Sequence, residues 1–490
     1  VGLPENRLYN LLQPGADGTF APYVLLASRV SAEVGQAIAD LGIPGIIIEP
    51  LPIRIYPQGE LTAQIVGFFA GADGARASQG YYGVEGYYQP LLAGQSKRVT
   101  RSNIPVLEES QTQATRIRDG MDLILTIDRD LQYLAQEVLA GFIEKDPTAT
   151  GGTILIMNPR NGEILAMANY PLFQLGDLSA DNLKYARNQA VSDIYEPGSV
   201  FKVVTMALAL DTGSIDLDWS YYDPGCFEAG GVAICNWDRA SRGNPDFAQV
   251  FIDSLNTGTA TLYKEIGPYT VYPKLREFGI GIPTGVDLEG ESPGILVEPG
   301  DPLWSEAQFL NNSYGQGVSV TPLQMLTAAN AIANNGLIMQ PHIVKARIDG
   351  GQVIETQPAA THRPISEAAA HKARDIMVRV LRESKEIEFE FPGYTVAGKT
   401  GTAEIPAPYG YEPFAPGNSI ASFLAFLPAD DPVVSILIKL DRPWGYWGSM
   451  TAAPLAEELL ERLVVLMEIP PDSLRYQLVA QGGDPLAREY

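Results

Sequence analysis

Metal-binding and redox-active side chains are scarce in this sequence. Its 490 residues include three histidines and two cysteines. His342, His362 and His371 lie far along the chain from Cys226 and Cys235. Structural zinc sites bring four such ligands together, usually through short spacings within each ligand pair. The scarcity and the spacing therefore disfavour a metal site built from cysteine and histidine.

Basic residues are also few. Lysine and arginine number 34 against 58 aspartates and glutamates, which gives a formal net charge of -24. A surface of this sign repels the phosphates of nucleic acid and the headgroups of anionic lipids, so neither is expected as a partner. A solvated acidic exterior accounts for the charge without any further role.

Long apolar runs are missing as well. No stretch approaches the ~18 residues that a membrane-spanning helix needs, and residues 1–7 have no signal-peptide pattern. The first residue is Val1 rather than methionine. We interpret the chain as a processed form, or as the ectodomain of an anchored protein. With 46% hydrophobic residues it has enough apolar material for two folded domains.

The two cysteines have an informative spacing. Cys226 and Cys235 flank Gly230-Gly231, a pair typical of a two-residue hairpin turn. Counting outward from that turn places the cysteines opposite each other on a non-hydrogen-bonded rung, where side chains approach closely. A disulfide there would indicate an oxidising compartment. Two free thiols fit the spacing too, so the sequence leaves both possibilities open.

Residues 1–120 have the pattern of a mixed α/β module. Residues 31–41 predict a short helix that ends near Gly42, and residues 45–49 predict an apolar strand. Nothing in this region has catalytic spacing. We interpret it as a scaffold.

From residue 121 the pattern changes to strands at both ends of a helical middle. The Asn161-Gly162 pair between two apolar runs is a strong hairpin signal. We expect the early and late strands to pair in one antiparallel sheet around a helical subdomain, which gives an α+β fold. The predicted strands cover residues 122–128, 152–157, 163–168, 395–404, 422–426 and 433–440, and the predicted flanking helices cover residues 129–144 and 453–467.

Ser199 and Lys202 form the first of three patterns that carry chemistry. They follow Pro197-Gly198 at the start of an apolar helical run, residues 200–210. Their separation of three residues places both side chains on one helix face. A serine hydroxyl needs a base to become a nucleophile, and lysine is suitable once burial or a second cation lowers its pKa. Taken alone, the pattern is better explained by a capping serine and a solvent-reaching lysine, because Ser-x-x-Lys is expected by chance in a chain of this length.

The second pattern is Ser254-Leu255-Asn256, between helical stretches 247–253 and 257–266. A hydroxyl there is suited to relay protons between two lysines, and the Asn256 amide is suited to bind a substrate peptide group. Serine and asparagine are also ordinary helix caps, so this tripeptide alone is weak evidence.

The third pattern is Lys399-Thr400-Gly401-Thr402, within the predicted strand 395–404. Alternation places Lys399 and Gly401 on one face. A glycine within a strand suits the close approach of another backbone, so we expect an extended peptide to pair along this strand. Thr402 would then bind a carboxylate. The structural alternative is an edge strand with a bulge.

Together the three patterns predict a serine acyl-transfer site with lysine in place of histidine. Each occurs once, and their order and residue types match the set shared by class A β-lactamases and penicillin-binding proteins. The third pattern also falls on a strand, as the mechanism requires. We therefore expect the chain to acylate itself on Ser199.

The likeness extends beyond the three motifs, and the chain resembles the class B penicillin-binding proteins, the membrane-anchored transpeptidases of bacterial cell-wall synthesis. The segments that carry the resemblance are 54–57, 83–85, 158–168, 195–202, 315–317, 321–324 and 397–404. The first two of these resemble the family's non-catalytic pedestal. The resemblance implies a pedestal domain at 1–120, a transpeptidase domain at 121–470 and a flexible tail at 471–490.

Carried over to this sequence, the resemblance implies a role for each motif residue. Ser199 would be the nucleophile, Lys202 its general base and Ser254 the proton shuttle to the leaving amine. Lys399 would complete the electrostatic network. The backbone N–H groups of Ser199 and Thr402 would form the oxyanion hole. The implied substrate-binding residues are Asn256, Thr400, Gly401 and Thr402.

The resemblance also implies the reaction and its setting. Ser199 would attack the D-Ala–D-Ala bond of a peptidoglycan stem peptide, release D-Ala and pass the acyl group to a neighbouring amine. β-Lactams would acylate the same serine, and no metal or organic cofactor is implied. The implied partner is a multi-pass membrane glycan polymerase. The implied location is the outer face of the bacterial cytoplasmic membrane, with an anchoring helix outside this sequence.

Other functions share parts of this pattern. A serine β-lactamase or a β-lactam sensor has the three motifs but normally lacks so large an N-terminal module. A non-catalytic cell-wall scaffold would keep the fold alone, and a D,D-carboxypeptidase would pass the acyl group to water. The motifs do not separate division from elongation enzymes, although residues 441–454 look slightly more like those of division enzymes.

Overall fold

The computed structural model describes residues 4–15, 18–21, 23–27, 30–48, 54–70, 79–95, 118–408, 410–483 and 486. By compactness the chain divides into two units, Val1–Pro57 and Gln58–Tyr490. This division falls earlier than the predicted boundary near residue 120, since residues 58–95 group with the larger unit. The predicted pedestal boundary therefore stays a prediction.

The smaller unit contains the helices Glu5–Leu11 and Ala32–Asp40. The second helix begins where the sequence predicts it. The Ser31 hydroxyl caps it by accepting the Val34 N–H at 3.3 Å, which satisfies one of the free donors of the first turn.

The predicted strand at 45–49 is not formed over residues 45–48, and Glu49 lies outside the described residues. The isoleucines of this stretch favour a strand, but a strand needs a neighbour to pair with. The described part of this unit contains no such neighbour, and Ile47 is 71% exposed.

A five-stranded antiparallel sheet forms the centre of the larger unit. The late strands pair with the early ones, and Ile438 lies opposite Ile154 at that junction. This confirms that strands from both ends of the domain meet in one sheet. The strand predicted at 122–128 is the exception, because it forms only over Asp122–Leu125 and pairs with Val344–Asp349 in a separate three-stranded sheet. The strands of the five-stranded sheet in spatial order are Ala397–Glu404, Ser419–Leu427, Val434–Asp441, Gly151–Met157 and Ile164–Tyr170.

Helices cover this sheet because its inner strands are buried along nearly their whole length. All seven residues of Gly151–Met157 are buried, which requires cover on both faces. Arg129–Ile143 and Ala452–Leu466 pack against each other and against the sheet. Pro322–Ala333 and Glu367–Glu383 also contact the sheet and each other. The result is the α+β architecture that the sequence predicts.

The remaining elements are shorter. Within the described ranges, no helix combines the length and apolar character needed to cross a membrane. The further helices are Gly59–Thr62 and Gly198–Phe201, both 3-10, and Ala63–Val66, Gly83–Tyr87, Gln89–Leu92, Ala180–Leu183, Gln189–Ser192, Lys202–Asp211, Phe247–Ile252, Asn256–Ile266, Pro268–Glu277, Glu306–Asn312 and Asp472–Ala480. The further strands are Phe68–Ala70, Gln79–Tyr81, Asp122–Leu125, Cys226–Ala229, Val232–Cys235, Ile295–Leu296, Val318–Ser319, Ile338–Met339, Val344–Asp349, Gln352–Glu355, Ala360–His362, Pro406–Ala407 and Gly410–Tyr411.

The helix Asp472–Ala480 lies in the segment that the sequence predicts to be flexible. Its Arg475 side chain is 4% exposed and pairs with Asp430 and Asp472. Asp430 lies 45 residues before Arg475 in the sequence. The composition of the tail itself, which is polar and glycine-rich, therefore gives no sign of this ion pair. The structure here differs from the prediction over residues 472–480.

Candidate active site

Ser199 lies in a 3-10 turn that continues into the helix Lys202–Asp211. The Lys202 N–H donates to the Ser199 carbonyl, so the two residues are one turn apart, as the sequence predicts. Gly198 has a φ of +58°, and a Cβ added there would lie 2.5 Å from the Thr402 carbonyl oxygen. Glycine therefore lets the 3-10 turn that contains Ser199 pack directly on the third motif.

The Lys202 amine is completely buried among hydrogen-bond acceptors. Its Nζ donates to the Ser254 carbonyl at 2.6 Å and to Asn256 Oδ1 at 2.7 Å, and it lies 3.2 Å from Ser254 Oγ. Burial, and secondarily the charge of Lys399, hold the pKa of Lys202 well below its usual value. A neutral amine has two N–H groups and one lone pair. With its N–H groups on the carbonyl and on Oδ1, the lone pair is left for a hydroxyl.

Ser254 occupies a backbone conformation that is rare for any residue but glycine. Its φ is +54°, which costs on the order of 1–2 kcal/mol. The Leu255 N–H donates to the Val250 carbonyl at 2.8 Å and holds the turn. The turn places Ser254 Oγ between two amines, 3.2 Å from Lys202 Nζ and 3.1 Å from Lys399 Nζ. Strain of this kind is typical of functional sites.

Lys399 is the second buried amine of the site, with 3% of its surface exposed. Besides Ser254 Oγ, its Nζ donates to the Thr400 carbonyl at 3.0 Å. Burial lowers the pKa of Lys399 to about 8, and the Glu386 carboxylate opposes part of that shift. At neutral pH, Lys399 is therefore mainly a cation, and it lies near a second buried amine, Lys202, whose pKa is also lowered. Two like groups with separated pKa values can take opposite roles in acid–base chemistry.

The strand Ala397–Glu404 is at the edge of the sheet, where an extended peptide can pair with it. Gly401 lies opposite Ser422 on the neighbouring strand. A Cβ on Gly401 would lie 2.5 Å from Ser422 Oγ and 2.8 Å from Val200 Cγ1. The sequence predicts that this glycine leaves space for the substrate backbone. In the structure, Val200 of the Ser199 turn also occupies part of the space that a Cβ would need.

Thr402 is oriented by a residue that sequence reasoning left without a role. Its Oγ1 accepts the Gly448 N–H at 2.9 Å. The Thr402 O–H is then left to donate, as binding a carboxylate requires. Gly448 approaches so closely that a Cβ there would lie 2.2 Å from the Gly401 carbonyl oxygen.

The structure brings the sequence-predicted residues into one place. Lys202, Ser254, Asn256 and Lys399 form one hydrogen-bonded network. Ser199 is one turn from Lys202, and its hydroxyl has no hydrogen-bond partner in the described part of the chain. Thr400, Gly401 and Thr402 lie on the strand Ala397–Glu404.

Sequence reasoning missed a buried network behind the second motif. The Asp223 carboxylate is fully buried and accepts hydrogen bonds from the Asn236 amide, the Thr257 hydroxyl and the Arg242 backbone. Asn236 Oδ1 in turn accepts the Thr257 N–H at 3.2 Å. Thr257 directly follows the motif in sequence, but Asp223 and Asn236 have no spacing that would indicate the contact.

Glu196 lies in the segment 195–202, and the sequence predicted no role for it. Its carboxylate accepts the Gly317 N–H at 3.0 Å and the Tyr411 hydroxyl at 2.9 Å. Burial raises the pKa of Glu196. The Gly198 N–H also donates to the Gly315 carbonyl at 3.0 Å. These bonds hold residues 315–317 and the strand Gly410–Tyr411 against the turn Gly198–Phe201, which contains Ser199.

The two cysteines form the predicted hairpin. Cys226–Ala229 pairs with Val232–Cys235, and the cysteines lie directly opposite each other. They are joined by a disulfide, with their Cα atoms 4.1 Å apart. Of the two alternatives that the spacing allows, the structure has the disulfide.

Thiol titration checks this pairing in solution. Denatured protein that has not been reduced should give no free thiol, because both cysteines of the chain are in the disulfide. After reduction the same protein should give two. Two free thiols before reduction would contradict the disulfide.

Comparison with known proteins identifies the fold and its relatives. Residues 152–461 match the family model described as penicillin binding protein transpeptidase domain. Stage V sporulation protein D of Bacillus subtilis is 33% identical over 93% of this chain and 70% of its own length. The probable peptidoglycan D,D-transpeptidase PenA of Neisseria meningitidis is 28% identical over 96% of this chain and 78% of its length. The crystal structure of penicillin-binding protein 3 of Mycobacterium tuberculosis with aztreonam has a TM-score of 0.72 and 30% identity, and the match covers 86% of this chain and 91% of that one.

Proposed function

Because this chain belongs to the class B penicillin-binding proteins, the peptidoglycan D,D-transpeptidases, we propose that it transfers acyl groups through Ser199. The observation that carries this proposal is the Ser254 hydroxyl held between two buried amines, of which Lys202 lies one helical turn from Ser199. Such an arrangement supplies a base, a proton relay and a cation without histidine.

In the acylation step, Ser199 Oγ attacks the carbonyl carbon of the penultimate D-Ala residue of a stem peptide. Lys202, whose pKa is lowered by burial, accepts the hydroxyl proton in its neutral form. The backbone N–H groups of Ser199 and Thr402 stabilise the oxyanion. The proton passes through Ser254 to the leaving nitrogen, the C–N bond breaks, and D-Ala departs with a neutral amine.

In the transfer step, the acceptor amine attacks the Ser199 ester and gives up a proton through the same relay. The Ser199–acyl C–O bond breaks, the serine regains its proton, and a new amide links the two stems. The Lys399 cation stabilises the negative charge that develops in both steps. A β-lactam forms the same ester, and its ring-opened acyl group then occupies the site.

We propose that the donor stem peptide lies extended along Ala397–Glu404, with its carboxylate at the Thr402 hydroxyl. The role proposed for Asn256 is narrower than the sequence suggests. Its Oδ1 accepts from Lys202, and one N–H of Nδ2 donates to the Cys235 carbonyl at 2.9 Å. One N–H therefore remains for a substrate carbonyl.

The remaining expectations extend the proposal to the surroundings of the enzyme. We propose a pedestal domain before the transpeptidase domain, a location on the outer face of the cytoplasmic membrane and a multi-pass membrane glycan polymerase as partner. The Cys226–Cys235 disulfide supports an oxidising location.

A mass measurement tests the proposed nucleophile. Incubation with a fluorescent penicillin should add one drug mass to the intact chain, and the adduct should persist for minutes or longer. The Ser199→Ala variant, folded by circular dichroism, should gain no mass. Loss of the adduct within seconds, together with drug hydrolysis, would favour a β-lactamase instead. A folded wild type that gains no mass would favour a scaffold.

A further inference from the structure

The disulfide hairpin lies directly against the catalytic network. Its last residue, Cys235, accepts the Asn256 Nδ2–H through its backbone carbonyl at 2.9 Å. On the opposite side of the same amide, Asn256 Oδ1 accepts from Lys202 Nζ at 2.7 Å. Asn256 is therefore clamped between the hairpin and the proposed base.

The Cys235 carbonyl determines which way the Asn256 amide faces. A carbonyl oxygen can only accept, so the amide must direct its nitrogen toward Cys235 and its oxygen toward Lys202. In the opposite orientation, the amide N–H would donate to the lone pair of Lys202. The amine would then have no lone pair left with which to take a proton from serine.

Two separate features fix the position of that carbonyl. The disulfide joins Cys235 to Cys226 at the open end of a hairpin of two four-residue strands. An isolated pair of this length is marginally stable without such a link. The next residue, Asn236, is 2% exposed and is held by Asp223 and by Thr257.

We propose that the Cys226–Cys235 hairpin is a positioning element of the active site, which keeps Lys202 basic by fixing the orientation of the Asn256 amide. This proposal rests on the proposed function of Ser199 and Lys202. It assigns Cys235 a role through its backbone, not through its sulfur, and the disulfide matters because it holds that backbone in place.

The experiment compares the wild type with Cys226→Ala/Cys235→Ala by the rate constant for acylation with a fluorescent penicillin, measured across pH. We expect acylation at neutral pH to slow by about tenfold, which is less than the ~100-fold that a 1 Å misplacement of a reacting group can cost. We also expect the acidic limb of the profile to move to lower pH. An amide that donates to Lys202 favours its neutral form and lowers its pKa further.

Two controls separate positioning from stability. Glu228→Gln, an exposed change on the same hairpin, should leave the rate and the profile unchanged. In an Asn256→Ala background, the cysteine substitutions should have no further effect, because the group through which they act is gone.

Chemical reduction of the wild type breaks the Cys226–Cys235 disulfide without any substitution. A water-soluble phosphine and one water molecule convert the disulfide into two thiols, and the phosphine is oxidised to its oxide. Since the chain has no other cysteine, any effect on the protein comes from this bond. The reduced wild type should match the double variant, and the double variant should not respond to the phosphine.

Several results would overturn the proposal. One is that the double cysteine variant keeps the rate and the acidic limb of the wild type. Another is that the effect of the cysteine substitutions persists in the Asn256→Ala background. The third is that the double variant unfolds below the assay temperature and loses acylation for that reason. A wild type that forms no adduct would instead refute the proposed function, and this inference with it.

Discussion

Replacing Lys202 with methionine should reduce the rate of Ser199 acylation by about 1,000-fold, within the range usual for removing a general base. Methionine is similar in length and apolar, so it fills the buried space of the lysine stem. The loss should appear in the rate constant at saturating and at limiting penicillin alike, because the base acts in the chemical step. Rapid mixing with a fluorescent penicillin and detection on denaturing gels measures the rate.

The same variant should remain as stable as the wild type or become more stable. The folded state holds the pKa of Lys202 below the value of 10.5 that it has when exposed. Below pH 10.5 the unfolded chain therefore binds a proton at Lys202 that the folded chain does not bind. This difference lowers the free energy of unfolding as pH falls from 10.5 through the folded pKa. Methionine does not titrate, so the variant does not lose this free energy at neutral pH. A melting temperature well below that of the wild type would contradict this stability prediction, and near-normal acylation would contradict the assignment of Lys202 as base.

Replacing Lys399 with alanine should reduce acylation by about 100-fold, as the loss of one electrostatic contact to the transition state does. The change should also move the acidic limb of the pH profile upward. With the Lys399 cation gone, the pKa of Lys202 rises, so a larger fraction of the base is protonated at neutral pH. The profile is measured as the acylation rate constant from about pH 5 to pH 10, a span that brackets the lowered pKa of Lys399.

The arginine variant of Lys399 separates charge from titration. In the wild type, acylation should decline above about pH 8, because Lys399 loses its proton there. Arginine stays charged throughout this range, so Lys399→Arg should lose the alkaline decline even if its rate is lower. An alkaline limb that persists in Lys399→Arg would assign the titration to another group.

Local patterns of this chain predicted its core and its motifs because the relevant information is local. The apolar run that becomes Gly151–Met157 is short and is followed by the turn residues Asn161-Gly162, which together indicate a strand of a hairpin. The Gly230-Gly231 turn fixes the pairing of Cys226 with Cys235, since hairpin register follows from the turn. The three catalytic motifs are short enough to be recognised from residue type and spacing.

Contacts between distant segments were not predictable in the same way. The Gly448 N–H reaches Thr402 across 46 residues, and the Asn256 amide reaches the Cys235 carbonyl across 21. Backbone donors and acceptors are the same in every residue, so no side-chain pattern records these bonds. The strand predicted at 45–49 fails for a related reason, since propensity describes one segment and pairing needs two.

The order of the strands determines when this enzyme becomes reactive during its own synthesis. Val434–Asp441 is the middle strand of the sheet but the last of the five to be made. Ser199 is translated long before Lys399, and the early and late strands of the sheet cannot pair through Val434–Asp441 until residue 441 has been made. Nascent or truncated chains that end earlier contain Ser199, the proposed nucleophile, without the completed sheet that positions Lys399 and Thr402. Penicillin should therefore label completed molecules and pass over unfinished ones.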